Sequence, residues 1–590
     1  VTGGFGFTPW PHGERLTPPG GANLPIRTRV VLARSRQSSA RRAADEGWLA
    51  KLHVLSVQGN EALAGFHIGT TVLDLTPETL TDLAAAALIS SEVDDRPDRI
   101  PVALNLALRA SDRRPDLAEA HHNAALALEQ LGLFRQAAAA WRLARDTDPD
   151  AGWQSEALAG LDRTSAVTDR QARVDMMLTA LHDGRPLAPD TARAADVVRE
   201  LVLRHALPAW SADAPFVATV RDAAVAIAAL SGDREPLDSV RHLTAECAAS
   251  PARCRAATGA HQDYRAGDAA WERGRTHDAF AAFDRVRAAV PANHPLLESI
   301  DLMHARRDYY GGRFEQASTR AMAVAADAAA RGHVVLEGRA LWLAGLVAHE
   351  RGLFEAALEH YRDARTQLAA AADHDGSTAV ENLLANYYAL LEDDIRTWRH
   401  LQAAVRGLVD ARAARRDPVL SNGAIATAKA GLHRAALAFL EEAVAETRAL
   451  GVPGPEAMAL AGLAGGLSTL GRWDEADARL AEAAQRAEAV PDDDMRDIVR
   501  AVVAAAEGEA LSERKPHASL AALTKAIDFY GGRDSVFDLA RLLHLRGRVL
   551  LGQGRAAEAE ADWLRGVESA TSQYRSLHAS RDRALLRAVR

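Results

Sequence analysis

The sequence predicts an all-α chain, a right-handed α-solenoid of helix–turn–helix repeats behind a short extended N-terminal segment. Three observations predict it. Apolar residues make up 48% of the chain but aromatics only 5%, so alanine carries the hydrophobicity. Alanine is the best helix former and is too small to fill a thick sheet sandwich, which favours closely packed helices. A glycine followed five positions later by an alanine recurs at Gly132, Gly274, Gly312, Gly352, Gly431, Gly471 and Gly554. Around each copy the same residue sizes fall at the same spacings.

The N-terminal segment comes first. Gly3, Gly4, Gly6, Pro9, Pro11, Gly13, Pro18, Pro19, Gly20, Gly21 and Pro25 forbid a helix or a central strand. Residues 1–43 are expected to be an extended lead-in that also carries Arg27, Arg29, Arg34, Arg36, Arg41 and Arg42. No aromatic interleaves these arginines, so a solvated or folded-back arm fits better than a single-strand binding platform. Residues 44–165 read as an N-terminal repeat block and 257–590 as the main array. Between them, 166–256 is a divergent helical joint cut by Pro186, Pro189, Pro208, Pro215 and Pro251.

Each repeat has a mechanical reading. The glycine takes the left-handed conformation that ends one helix without a Cβ clash, and a second helix starts at once. The alanines Ala137, Ala279, Ala317, Ala357, Ala436, Ala476 and Ala559 lie early in that second helix. One turn further on come Trp141, Phe283, Ala321, Tyr361, Leu440, Leu480 and Trp563. Seven residues before the glycines stand Ala125, Gly267, Ala305, Gly345, Ala424, Ala464 and Gly547. Small residues at both crossing points and a knob between them describe one antiparallel helix pair per repeat. From Gly274 the glycine spacings are 38, 40, 79, 40 and 83. A repeat lacking its glycine is therefore expected in each long gap. In such arrays each repeat touches only its neighbours.

The pattern resembles the tetratricopeptide (TPR) family. Its clearest copy is LAEAHHNAALALEQLGLFRQAAAAWRLARDTDP, Leu117 to Pro149, with the LG turn, Ala137, Trp141, Ala144 and the closing proline in the family's places. The period is nearer 40 than the family's 34 residues, and His121 and Leu341 stand where the family has a large aromatic. Residues 82–161, with LLEDDIRTWRHLQAA and LAALTKAIDFYGGR further on, look like the TPR region of bacterial proteins that end in a CHAT domain, a caspase-like cysteine peptidase module. The resemblance implies a regulatory array, with any CHAT module beyond Arg590.

Other chemistry was sought in the residues. There is no G-x-x-x-x-G-K-[ST] phosphate loop, and His349-Glu350 lacks the second zinc-ligating histidine because Leu353 stands there. Cys247 and Cys254 flank Pro251 outside any peptidase signature and are expected to be structural. Two cysteines in 590 residues exclude a disulfide scaffold and suit a reducing compartment, hence a cytoplasmic location. Net charge −9 disfavours nucleic acid as the main partner, and no apolar run reaches a membrane span. No catalytic, cofactor-binding or metal-ligating residues are expected.

What is left is an inner groove. In this architecture the first helix of each pair lines a concave surface, and its exposed face falls two, three, six, ten and thirteen residues before the turn glycine. That selects Trp271 and Glu272, then Arg306, Tyr309 and Tyr310, then Arg339, Trp342, His349 and Glu350, and finally Arg541, His544 and Arg548. Aromatics and arginines on one face are the material of binding hot spots. The expected function is a non-catalytic interaction scaffold that binds a protein or peptide segment and regulates a partner or an appended peptidase. The alternatives are the regulatory part of a longer CHAT-type cysteine peptidase, or the helical sensor of a bacterial transcription regulator.

Overall fold

The computed structural model describes residues 75–567, other than 149–150, 166–169, 183–184, 186–191, 212–213 and 533–535. The expected extended lead-in over 1–43 lies outside the described residues. Among those described, every regular element is helical. In chain order these are α1 (Pro77–Val93), α2 (Arg99–Arg113), α3 (Ala118–Gln130), α4 (Phe134–Thr147), α5 (Ala151–Ser165) and α6 (Arg170–His182). Then come α7 (Ala192–Leu201), which widens into a π-helical turn over Val202–Ala206, α8 (Ala214–Ser231), α9 (Glu235–Ala249), α10 (Pro251–Glu272), α11 (Thr276–Ala289) and α12 (Leu296–Tyr310). The array continues with α13 (Phe314–Arg331), α14 (Val334–Glu350), α15 (Phe354–Ala370), α16 (His374–Leu390), α17 (Asp394–Gly407), α18 (Arg416–Lys429) and α19 (His433–Leu450). Its last members are α20 (Pro453–Thr469), α21 (Trp473–Glu488), α22 (Asp493–Leu511), α23 (Pro516–Gly531), α24 (Val536–Gly552) and α25 (556–567). Consecutive helices pack as hairpins, and the fold is a TPR-like α-solenoid.

The turns behave as the sequence requires. All seven repeat glycines have φ between 70° and 75°. At Gly352 the glycine N–H donates to the His349 carbonyl (2.9 Å) and the Leu353 N–H to the Ala348 carbonyl (2.8 Å), closing the helix end with its own backbone. Gly332 (φ 74°) and Gly451 (φ 67°) make the same turn between repeats. The first long gap holds its missing repeat, with Glu392 at φ 56° in place of glycine, and Ala372 at φ 53° ends the helix before it. The second gap holds the hairpin α22–α23, which turns over 512–515 with no left-handed residue.

The crossings also follow the size pattern. The seven alanines are buried, and Gly267, Gly345 and Gly547 sit against the knobs Phe283, Tyr361 and Trp563. A Cβ on Gly345 would fall 2.6 Å from the Tyr361 ring, and one on Gly267 2.7 Å from Phe283. One crossing is shifted by a residue: Phe439, not Leu440, is the buried knob, and it packs on Gly423 rather than Ala424.

The described chain divides into two compact units. One comprises the residues up to Thr168 with Tyr388–Arg406 and Asp417–Glu446. Within it the expectation of neighbour-only contact fails. The Gln136 side chain donates to the Ala438 carbonyl (2.6 Å), the Arg434 N–H donates to Asn105 Oδ1 (3.0 Å), and Gly132 lies against Val405. The other unit comprises Asp169–Tyr387, Gly407–Arg416 and the residues from Thr447 onward. In it Cys247 and Cys254 form a disulfide that joins the end of α9 to the start of α10. The pairing removes the basis on which a reducing compartment was inferred from the cysteine count.

Candidate functional site

The second unit holds a partly open cavity of about 200 Å³. Its walls come from the first helices of three successive hairpins, α10, α12 and α14, closed by residues of α7, the start of α9 and α16, and the segment before α18. The positions six, ten and thirteen residues before the turn glycine supply Asp268, Tyr264 and His261 from α10, Arg306, Leu302 and Ser299 from α12, and Leu346, Trp342 and Arg339 from α14. One turn geometry repeated three times aims the same helical face inward each time.

Of the residues selected from sequence, Arg306, Tyr309, Tyr310, Arg339 and Trp342 line this cavity. Trp271 and Glu272 stand directly behind its wall. The Trp271 ring packs on Tyr310 (centroids 5.8 Å apart) and under the Arg306 guanidinium, while Glu272 accepts hydrogen bonds from Arg204 (2.8 Å) and Arg412 (3.3 Å). Glu350 accepts from the Tyr309 hydroxyl (3.4 Å), and His349 sits 3.5 Å from the Tyr361 hydroxyl. The structure does not bring Arg541, His544 and Arg548 to this cavity. They lie on α24, where Arg541 pairs with Glu509 (3.1 Å) and the His544 carbonyl accepts from the Trp563 indole (3.2 Å).

Several wall residues escaped the sequence reading. Asp268, Tyr264, His261, Leu302 and Ser299 obey the same glycine offsets but were not among the residues selected, although Tyr264 stands at the offset of Trp342. Arg199 and Arg204 come from the divergent joint, and Arg412 and Arg415 from the loop after α17, where no repeat pattern marks them.

Most charges in the wall neutralise one another. Arg339 donates two hydrogen bonds to Asp373 (2.9 and 3.1 Å). Arg412 and Arg415 both reach Asp375 (3.3 and 3.2 Å), and Arg415 lies 4.6 Å over the Trp342 ring. Arg199 pairs with Asp233 (2.9 Å) and Asp196 (3.3 Å), and Arg204 pairs with Asp268 and Glu272. Burial opposes ionisation of Asp373 and Asp375, but Arg339 overrides it at Asp373, and Arg415 and Arg412 override it at Asp375. Both carboxyls therefore stay below the usual range. Burial has the opposite result at Glu235, where Asp233 adds to it and the carboxyl is pushed up; it accepts a hydrogen bond from Ser299 (3.1 Å). His261 is held neutral by burial, its imidazole lowered to about 3.

Two donors are left over. Arg306 reaches only the Met303 sulfur (3.8 Å) and the face of Trp271, 5.6 Å from the ring centroid. The Trp342 indole N–H is buried without an acceptor. Arg339 already gives its Nε and one Nη to Asp373. No group of three or more histidines, cysteines or carboxylates able to hold a metal ion occurs among the described residues, nor does any helix long and apolar enough to cross a membrane.

No family model matches the chain, and no curated protein matches it. Solved structures do. A Rap protein complexed with competence and sporulation factor is 12% identical over 61% of this chain and 99% of its own, with a TM-score of 0.47. A signal-transduction ATPase with a tetratricopeptide repeat sensor from Pyrococcus horikoshii is 12% identical over 84% of this chain and 73% of its own, with a TM-score of 0.34. Yeast Tom70 is 13% identical over 80% of this chain and 99% of its own, with a TM-score of 0.28. Likenesses this distant say nothing about a ligand, which has to be sought in the side chains.

Proposed function

We propose that the chain is a non-catalytic interaction scaffold whose binding surface is the inner face of α10, α12 and α14, and that its partner is a protein or peptide segment. One observation carries the reading: Tyr309, Tyr310, Trp342 and Arg306, from two successive repeats, line a single cavity. Large rigid side chains in a concave site give contact area at low entropic cost. The arginines and carboxylates of the wall hold one another and so fix its shape. We read such a scaffold as a regulator of its partner.

The test begins with a partner recovered from the native host, whose affinity is measured against wild type, Trp342→Ala and Tyr309→Ala. Each truncation is expected to weaken binding by about 2 kcal/mol, roughly 30-fold, with the melting temperature retained. Unaltered affinity in both folded variants would remove this face as the binding site. Control of a CHAT-type peptidase rests only on the resemblance of residues 82–161, 390–404 and 520–533; a reading frame beyond Arg590 without a histidine and cysteine nucleophile would dispose of it.

A further inference from the structure

We infer that the cavity is a receptor site for a single carboxylate borne on an apolar body about the size of one side chain, with Arg306 as its charge partner. The inference rests on the proposed binding face and names the chemistry its occupant must bring.

The charge pattern selects the anion. Arg199, Arg204, Arg265, Arg339, Arg412 and Arg415 each have a carboxylate within ion-pair distance. Arg306, among the described residues, has none. Burial pushes its guanidinium below the ordinary value; Tyr310 opposes this, and the positive charges of Arg415, Arg412 and Arg339 add to it. A ligand anion reverses that penalty, and a ligand cation compounds it. Arg306 alone among the wall arginines lacks a carboxylate at contact distance, and a single carboxylate supplies that partner. The buried Trp342 indole N–H is a second donor in the same wall that no protein atom satisfies. Carboxylate oxygens can accept from both kinds of donor.

The remaining wall selects the body. Leu302, Met303, Leu343 and Leu346 with the rings of Tyr310 and Trp342 form the apolar part of the wall around about 200 Å³, room for one aromatic or branched group. Two sources share this chemistry: the carboxyl terminus of a protein segment ending in an apolar residue, and a small free acid.

The experiment is a fluorescence titration of the full chain with five probes: N-acetyl-phenylalanine, its amide, a hexapeptide Ala-Ala-Ala-Ala-Ala-Phe with a free carboxyl terminus, the same peptide amidated, and phenyl phosphate. The acids are expected to bind at least tenfold tighter than their amides, a comparison that needs no variant. Arg306→Gln is expected to remove that preference, Arg306→Lys to restore part of it, and Arg541→Gln to leave it unchanged. A hexapeptide much tighter than N-acetyl-phenylalanine identifies a protein terminus; equal affinities identify a small acid. Equal binding of acid and amide, lost in Trp342→Ala, overturns the carboxylate while the binding face stands. No saturable binding of either acid, or tighter binding of phenyl phosphate, overturns the inference outright.

Discussion

Hairpin α14–α15 turns at Gly352 and hairpin α24–α25 turns at Gly554, with the same left-handed glycine, the same buried alanine and the same glycine-on-aromatic crossing. Thirteen and ten residues before the turn the first presents Arg339 and Trp342 and the second Arg541 and His544. Arg339 meets Asp373, which is fully buried, and Trp342 lies under Arg415 in the cavity wall. Arg541 meets Glu509 in a pair more than half exposed on both sides. The repeat signature therefore fixes the turn and the direction of the inward face. What that face becomes depends on neighbours from outside the pattern: Asp375, the arginines of the 407–416 segment, and Arg199 and Arg204 from the irregular helix α7.

The largest contrast between the hairpins should appear in their ion pairs. Asp373→Ala strands the Arg339 guanidinium and is expected to cost about 3 kcal/mol or more in denaturant unfolding, as broken buried pairs do. Glu509→Ala in the exposed pair should cost about 0–1 kcal/mol. Similar costs would mean that the cavity charges are solvated and the contrast is wrong. The same carboxylates set a pH dependence. Their folded-state values are depressed, so their contribution is complete above the unfolded carboxyl value near 4 and is lost as pH falls below it. Unfolding midpoints followed from pH 7 to pH 3 should therefore fall steeply below about pH 4 in wild type, and less in Asp373→Ala.

A smaller effect is expected where the two hairpins are alike. Ala357→Leu in the first and Ala559→Leu in the second both overpack a crossing with no free space, at about 1–3 kcal/mol each by thermal melting. A large effect at Ala357 and none at Ala559 would show that the second crossing is open. The smallest effect has the opposite sign. Glu392 holds a left-handed conformation that suits glycine, so Glu392→Gly should stabilise by about 0.5 kcal/mol after its cost in chain entropy, while Gly352→Ala should destabilise by about 1 kcal/mol.

These contrasts mark what the sequence could and could not carry. The helix ends were legible because a left-handed residue leaves glycine as its trace, and even the gap around Glu392 showed as a doubled spacing. The inward face was legible because helical offsets from a fixed turn are local geometry. The charge partners were not, since Arg339 and Asp373 are joined by packing rather than by spacing along one helix. Nor was the contact of α19 with α2 and α4, because residues some three hundred positions apart leave no periodic trace. The shift from Leu440 to Phe439 shows the limit of fixed offsets: the bulkier neighbour took the crossing.

The binding face can be located without mutation by fluorine NMR of fluorotryptophan-labelled protein, titrated with the partner recovered from the host. Trp342 lies in the cavity wall and Trp271 directly behind it, while Trp563 belongs to the hairpin that does not reach it. Shifts of the Trp342 and Trp271 resonances with Trp563 unmoved are expected. A shift at Trp563 with Trp342 and Trp271 unmoved would contradict the assignment of this face as the binding surface.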